Sequence, residues 1–182
     1  MPGIGHLMMG LAAGRAAAPE PERLGRALVL FSVTSMLPDL DAIGFVLGVP
    51  YGATFGHRGA THSVGVALVL SLGVALVGRW LKLPALRVGV LAFLTLVVHG
   101  LTDALTNGGL GVALLWPFTE ARIFLPWRPI LVAPIGPDAL TTAYGQRVLA
   151  QEVLVFLPFL AYACWPRRRR TVPAPTAEAS PQ

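Results

Sequence analysis

All four histidines and three of the four aspartates stand where apolar segments begin or end, and these are the side chains that bind divalent metals. His99 and Asp103 are four residues apart, so a helix places both on one face, one turn from each other. They close a long apolar run that begins near Leu86. An imidazole and a carboxylate in such a run are costly to keep unless something charged binds them. His57 and His62 flank Arg58 in His57-Arg58-Gly59-Ala60-Thr61-His62-Ser63, Asp39 and Asp41 follow Pro38, and His6 lies near the start. Nitrogen and oxygen donors of this kind suit zinc, with manganese or iron as other candidates, and their number allows one or two ions. Two ions sharing a carboxylate are common in phosphoester hydrolysis. In that chemistry Asp39 or Asp41 is a general base or orients a histidine, and Arg58 pairs with a phosphate.

The elements that must position these residues are apolar and helical. Ile4 to Ala18 is a short apolar segment, ended by Pro19-Glu20-Pro21-Glu22-Arg23. Leu24 to Met36 is the next, and Ala42 to Val49 is a short one beyond the aspartates. Val64 to Trp80 reads as a membrane helix, and the run from Arg87 to about Leu105 as another. The loop between them is short, so they are antiparallel neighbours. Leu110 to Arg147 reads as a long interfacial connection with Trp116, Phe118, Phe124 and Trp127 at headgroup level. Val148 to Trp165 is the last membrane helix, interrupted by Pro158. Counting spans puts Asp39, Asp41, His57, His62, His99 and Asp103 on one membrane face. His6 joins them if the first segment runs antiparallel to the second.

Composition points the same way. Of 182 residues, 54% are hydrophobic and only 13% charged, against about a quarter charged in a soluble domain. The expectation is an all-α polytopic membrane protein with about four to five transmembrane or partly inserted helices. Residues 1–166 form one membrane-embedded domain, and 167–182 a basic flank and disordered tail. The net charge of +5 does not argue for nucleic acid, because Arg167 to Arg170 sit directly after an apolar segment, as in a cytoplasmic membrane flank. The single cysteine, Cys164, excludes a disulfide framework or a cysteine zinc site within the chain. The charge balance predicts a bacterial-type inner membrane protein with a cytoplasmic C-terminus and the histidine–aspartate face extracytoplasmic.

Leu37-Pro38-Asp39-Leu40-Asp41, the His57–Ser63 stretch, His99-Gly100-Leu101-Thr102-Asp103 with Thr106-Asn107-Gly108-Gly109, and Leu115-Trp116-Pro117-Phe118 with Arg122 come in this order after His6. The set resembles the YdjM-like family of membrane-bound, metal-dependent hydrolases over roughly residues 1 to 128. That family is similar in motif order to zinc-dependent phospholipase C. The resemblance implies His6, an aspartate of the Asp39/Asp41 pair, His57 or His62, His99 and Asp103 as metal ligands. The expected function is metal-dependent hydrolysis of a phosphoester in a membrane lipid or lipid-linked substrate. A divalent-ion transporter or sensor without hydrolysis is the rival. A third reading is a polar cluster that only ties helices together.

Overall fold

The computed structural model describes residues 3–136 and 138–166; the expected basic flank and tail, 167–182, lie outside the described residues. The fold is all-α. Its helices are α1 (Ile4–Ala17), α2 (Leu24–Met36), α3 (Ile43–Val46), α4 (Val64–Trp80), α5 (Ala85–Ala104) and α6 (Ala143–Cys164). Short 3-10 turns cover Pro38–Ala42 and Ala60–His62. Among the described residues there is no strand. Two isolated bridges, Thr106 with Ile130 and Val112 with Ile123, brace the long connection between α5 and α6.

The outward faces of the long helices are bare hydrocarbon: Leu86, Val90 and Leu94 on α5, and Leu154, Val155 and Leu157 on α6, are all exposed. A face of that size and composition needs lipid rather than water against it. By length and composition α5 and α6 can each cross a membrane. The stretch Pro21–Met36 reaches that length only together with Pro38–Val46, bent by 43° at Leu37. Helix α4, with 17 residues, sits at the lower limit of a span. Helix α6 differs from the sequence expectation in two ways. It starts at Ala143, where Thr142 caps it by accepting a hydrogen bond from the Gly145 N–H, and it continues through Pro158 without a break. A proline inside a membrane helix is tolerated when neighbouring groups satisfy the backbone it frees.

Helix α1 runs antiparallel to α2, and two glycines one turn apart make the contact. A side chain at Gly10 would meet the Phe31 carbonyl at 2.6 Å, and one at Gly14 would meet the Ala27 carbonyl at 2.7 Å. Small residues at this spacing let membrane helices approach to backbone contact, where packing replaces the missing hydrophobic drive. The approach sets His6, at the start of α1, beside the end of α2. Helix α4 begins, and α5 ends, at that same side. Gly10→Val is therefore expected to cost about 1–3 kcal/mol through overpacking. Gly25→Val, with nothing within 4 Å of its site, is expected to be neutral. Thermal unfolding in detergent checks the pair, and equal midpoints would contradict the close packing of α1 on α2.

Candidate metal centre

Each site residue is delivered by a local break in helix. Pro38 stops α2, and the 3-10 turn Pro38–Ala42 redirects the chain so that Asp39 faces inward. The Ala60–His62 turn brings in His62, and Ser63 then caps α4 by accepting a hydrogen bond from the Val66 N–H. His99 and Asp103 share the buried face of the last turns of α5. Gly100 makes room for His62: a side chain there would stand 2.8 Å from the His62 carbonyl oxygen.

Five of the seven predicted ligands converge. The Nε2 atoms of His62 and His99 lie 3.2 Å apart. Asp39 Oδ1 is 3.5 Å from each of them. Asp103 Oδ2 is 3.3 Å from His62 Nε2 and 3.7 Å from His99 Nε2. His6 Nε2 lies 3.8 Å from Asp103 Oδ1 and 3.9 Å from Asp39 Oδ2. Its ring stacks on His99 at 3.5 Å. Donors about 2.1 Å from a tetrahedral ion stand about 3.4 Å from one another, so this spacing is that of a ligand shell. His6, His62, His99 and Asp103 are buried; Asp39 keeps 17% of its side chain exposed and gives the cluster its one open edge among these five.

The outer nitrogens set the tautomers. His99 Nδ1 donates to the Ser35 carbonyl at 2.9 Å, which leaves Nε2 as a bare lone pair. His62 Nδ1 faces Asp41 Oδ2 at 3.2 Å, which does the same for its Nε2. Two lone pairs therefore oppose each other beside two carboxylates, a repulsive set unless a cation or a proton sits among them. Burial resists a charge on His62, but hydrogen bonds to Asp103, Asp39 and Asp41 outweigh it and raise the imidazole to about 10. His6 reinforces the point, because neither of its buried ring nitrogens has a hydrogen-bond partner. The donor set fits a divalent ion.

Asp41, His57 and Arg58 sit differently from the expectation. The Asp41 carboxylate binds the outside of the histidines. Oδ1 accepts from His57 Nδ1 at 2.6 Å, and Oδ2 from the Arg58 N–H at 3.1 Å and from the Thr61 hydroxyl. This is the carboxylate–histidine arrangement that orients metal ligands, rather than a ligand position. His57 lies toward the open edge; with Asp39 and His62 it forms a group of close donors that shares Asp39 with the group of His6, Asp39, His99 and Asp103. Arg58 was expected to hold a phosphate. It is buried instead, with its guanidinium on Asp103 Oδ1 at 3.0 Å, the Thr106 hydroxyl at 2.8 Å and the Gly108 carbonyl at 3.2 Å. Its backbone is left-handed, at φ 61, a strained state for a residue with a side chain. Those contacts, with the Asp41 bond to its N–H, hold it there.

Several residues to which the sequence reading gave no role at the cluster take part in it. Ser35 accepts from His99 Nδ1, and the Thr61 hydroxyl, besides binding Asp41, lies 3.1 Å from His62 Nδ1. Arg122 ties the His57 loop by donating to the carbonyls of His57, Tyr51 and Ala53 at 2.8–2.9 Å. Glu152, in the middle of α6, is buried beside the first turn of α1, where its carboxylate faces the Gly5 N–H without closing a bond. It stands at the start of that helix, which no side chain caps. A carboxylate inside an apolar span was the signal available in the sequence.

Removing an orienting group weakens a metal site without deleting it. Asp41→Asn is expected to lower metal affinity about 10–100-fold at unchanged stoichiometry. Competition with a chromophoric chelator measures this, and loss of an equivalent of metal would make Asp41 a ligand after all.

Residues 1–171 match the model of the YdjM inner membrane protein family. The inner membrane protein YbcI of Escherichia coli (strain K12) is 40% identical over 167 residues, covering 90% of this chain and 94% of that protein. The inner membrane protein YdjM of the same organism is 36% identical over 122 residues, 57% of this chain and 54% of that protein. No solved structure matches. With its exposed apolar helices and its buried histidine–aspartate cluster, the chain belongs to the YdjM family of inner membrane proteins.

Proposed function

We propose that the protein is a metal-dependent hydrolase acting on a phosphoester, in a lipid or another membrane-near substrate. The observation that carries this reading is the shell of His6, His62, His99, Asp39 and Asp103 with one edge open. The buried donors would hold a cation, and of the five only Asp39 is open to anything else. A bound divalent ion supplies Lewis acidity and lowers the pKa of water toward neutrality. Zinc suits the nitrogen-rich donors best, with manganese or iron as alternatives. One ion would be held by His6, Asp39, His99 and Asp103, and a second by Asp39, His57 and His62.

Each residue has a distinct task. Asp39, partly exposed, stands at the open edge of the cluster, where a substrate would arrive. Asp41 holds His57 and His62 in the required tautomers. Arg58 is a positioning residue: its charge fixes Asp103 Oδ1, so that Oδ2 is presented to the histidines. A cavity of about 330 Å³ is lined by His57 and Arg58 together with Tyr51, Gly109, Val132 and Ile135. Beside His57, it is the place proposed for a substrate headgroup. The positive-inside rule puts the site on the extracytoplasmic face. A transport route is less favoured, because the ligands gather at helix ends rather than on broken helices at mid-membrane.

The test is turnover of phospholipid and lipid-phosphate substrates by zinc- or manganese-loaded protein in vesicles, followed as phosphate or headgroup release. Turnover is expected to stop on chelation and return with metal. Asp103→Asn is expected to lose at least about 100-fold, beyond the roughly 10–100-fold typical of removing a group that only orients a ligand. Turnover indifferent to chelation, or none with any phosphoester after metal loading, would overturn the proposal.

A further inference from the structure

Helices α5 and α6 each pack against α1 and diverge from each other, leaving a groove floored by α1. Its volume is about 440 Å³. The floor is Met9, Ala12, Ala13 and Ala16, and Leu94 and Phe159 are among the walls. Thr95 is a polar side chain in that lining, and its hydroxyl already donates to the Leu91 carbonyl at 2.7 Å. Nothing in the groove asks for water. No metal-centre residue lines it either, so it is not the place where a substrate reaches the cluster.

The groove runs the other way. At Ala16 and Tyr162 it joins a wider cavity of about 1240 Å³ at the membrane face opposite the metal centre. That cavity has Arg15, Arg87 and Glu22 as its charged lining residues and Trp165 at its rim. Arg15 donates to the Ala163 carbonyl at 3.1 Å and lies over the Tyr162 ring. Arg87 is exposed, and among the described residues it makes no hydrogen bond or ion pair. An apolar slot between membrane helices that opens into a basic pocket has the two halves of one ligand class, a chain and a phosphate.

We infer that this composite cavity binds an anionic phospholipid of the leaflet opposite the metal centre, with the phosphate at Arg87 and Arg15 and one acyl chain in the groove over Ala13. The inference is independent of the hydrolase reading, because none of its residues belongs to that site.

Native mass spectrometry of the full chain, released from nanodiscs of phosphatidylglycerol and phosphatidylcholine in equal amounts, tests it. Wild-type protein is expected to retain phosphatidylglycerol preferentially. Arg87→Gln is expected to cut that preference about fivefold, the effect of one arginine near an anionic headgroup, while Arg79→Gln, outside the cavity, leaves it unchanged. Ala13→Trp, which fills the groove, is expected to lose lipid of either headgroup. The helical circular dichroism of each variant verifies folding, and the exposed Arg87 keeps the test open if Ala13→Trp fails to fold. No retained lipid in the wild type, equal effects of Arg79→Gln and Arg87→Gln, or full retention in a folded Ala13→Trp would each overturn the inference.

Discussion

Two imidazole lone pairs and two carboxylates are held face to face in a space that admits almost no water, and the rest of the structure serves to keep them there. His62 and His99 bring their Nε2 atoms to 3.2 Å, with Asp39 and Asp103 alongside. Left without a positive charge, such a group pushes itself apart. The fold opposes that tendency from several directions. The glycines of α1 let it lie against α2, Gly100 lets the His62 turn reach α5, and Ser35 fixes the far side of the His99 ring. Arg58 neutralises one oxygen of Asp103 at the cost of a left-handed backbone. Strain and buried charge together at one point are expected where a structure is built around binding rather than stability.

Much of this was legible in the sequence because the membrane simplifies the reading. Charged and polar residues are rare in apolar helices, so His99 with Asp103 stood out, and helix ends marked by Pro38 and Ser63 fell close to where proline and capping chemistry place them. Counting spans was enough to put six of the candidates at one side, and His6 joined them only once the first segment was taken as antiparallel to the second. What the spacing did not reveal was direction. Asp39 and Asp41 are two residues apart in a 3-10 turn, and one carboxylate enters the cluster while the other grips the outer nitrogens of His57 and His62. Arg58 looked like a loop cation free to meet a phosphate, yet its backbone conformation turns it inward to Asp103. Glu152 was visible as a charge in a span, but its neighbour at the start of α1 depends on how α6 packs, which no local pattern encodes. The start of α6 was placed five residues late because the Thr142 cap precedes a polar first turn.

The molecule divides its two ends between different demands. At one end, breaks in four helical segments collect nitrogen and oxygen donors; at the other, proline-rich turns and arginines frame a basic cavity. Between them the helices are apolar, with their polar side chains turned onto their own backbone, as Thr34 and Thr95 are on the carbonyls one turn before. The cluster therefore has no polar connection through the membrane among the described residues, which suits a site that acts at one face.

The most direct test is the metal content of detergent-purified protein by elemental analysis, with His99→Ala beside the wild type. One or two equivalents of zinc, manganese or iron in the wild type, lost in the variant, is the predicted result. No metal in the wild type after incubation with each of the three ions would contradict the account and leave a polar cluster that only ties helices together.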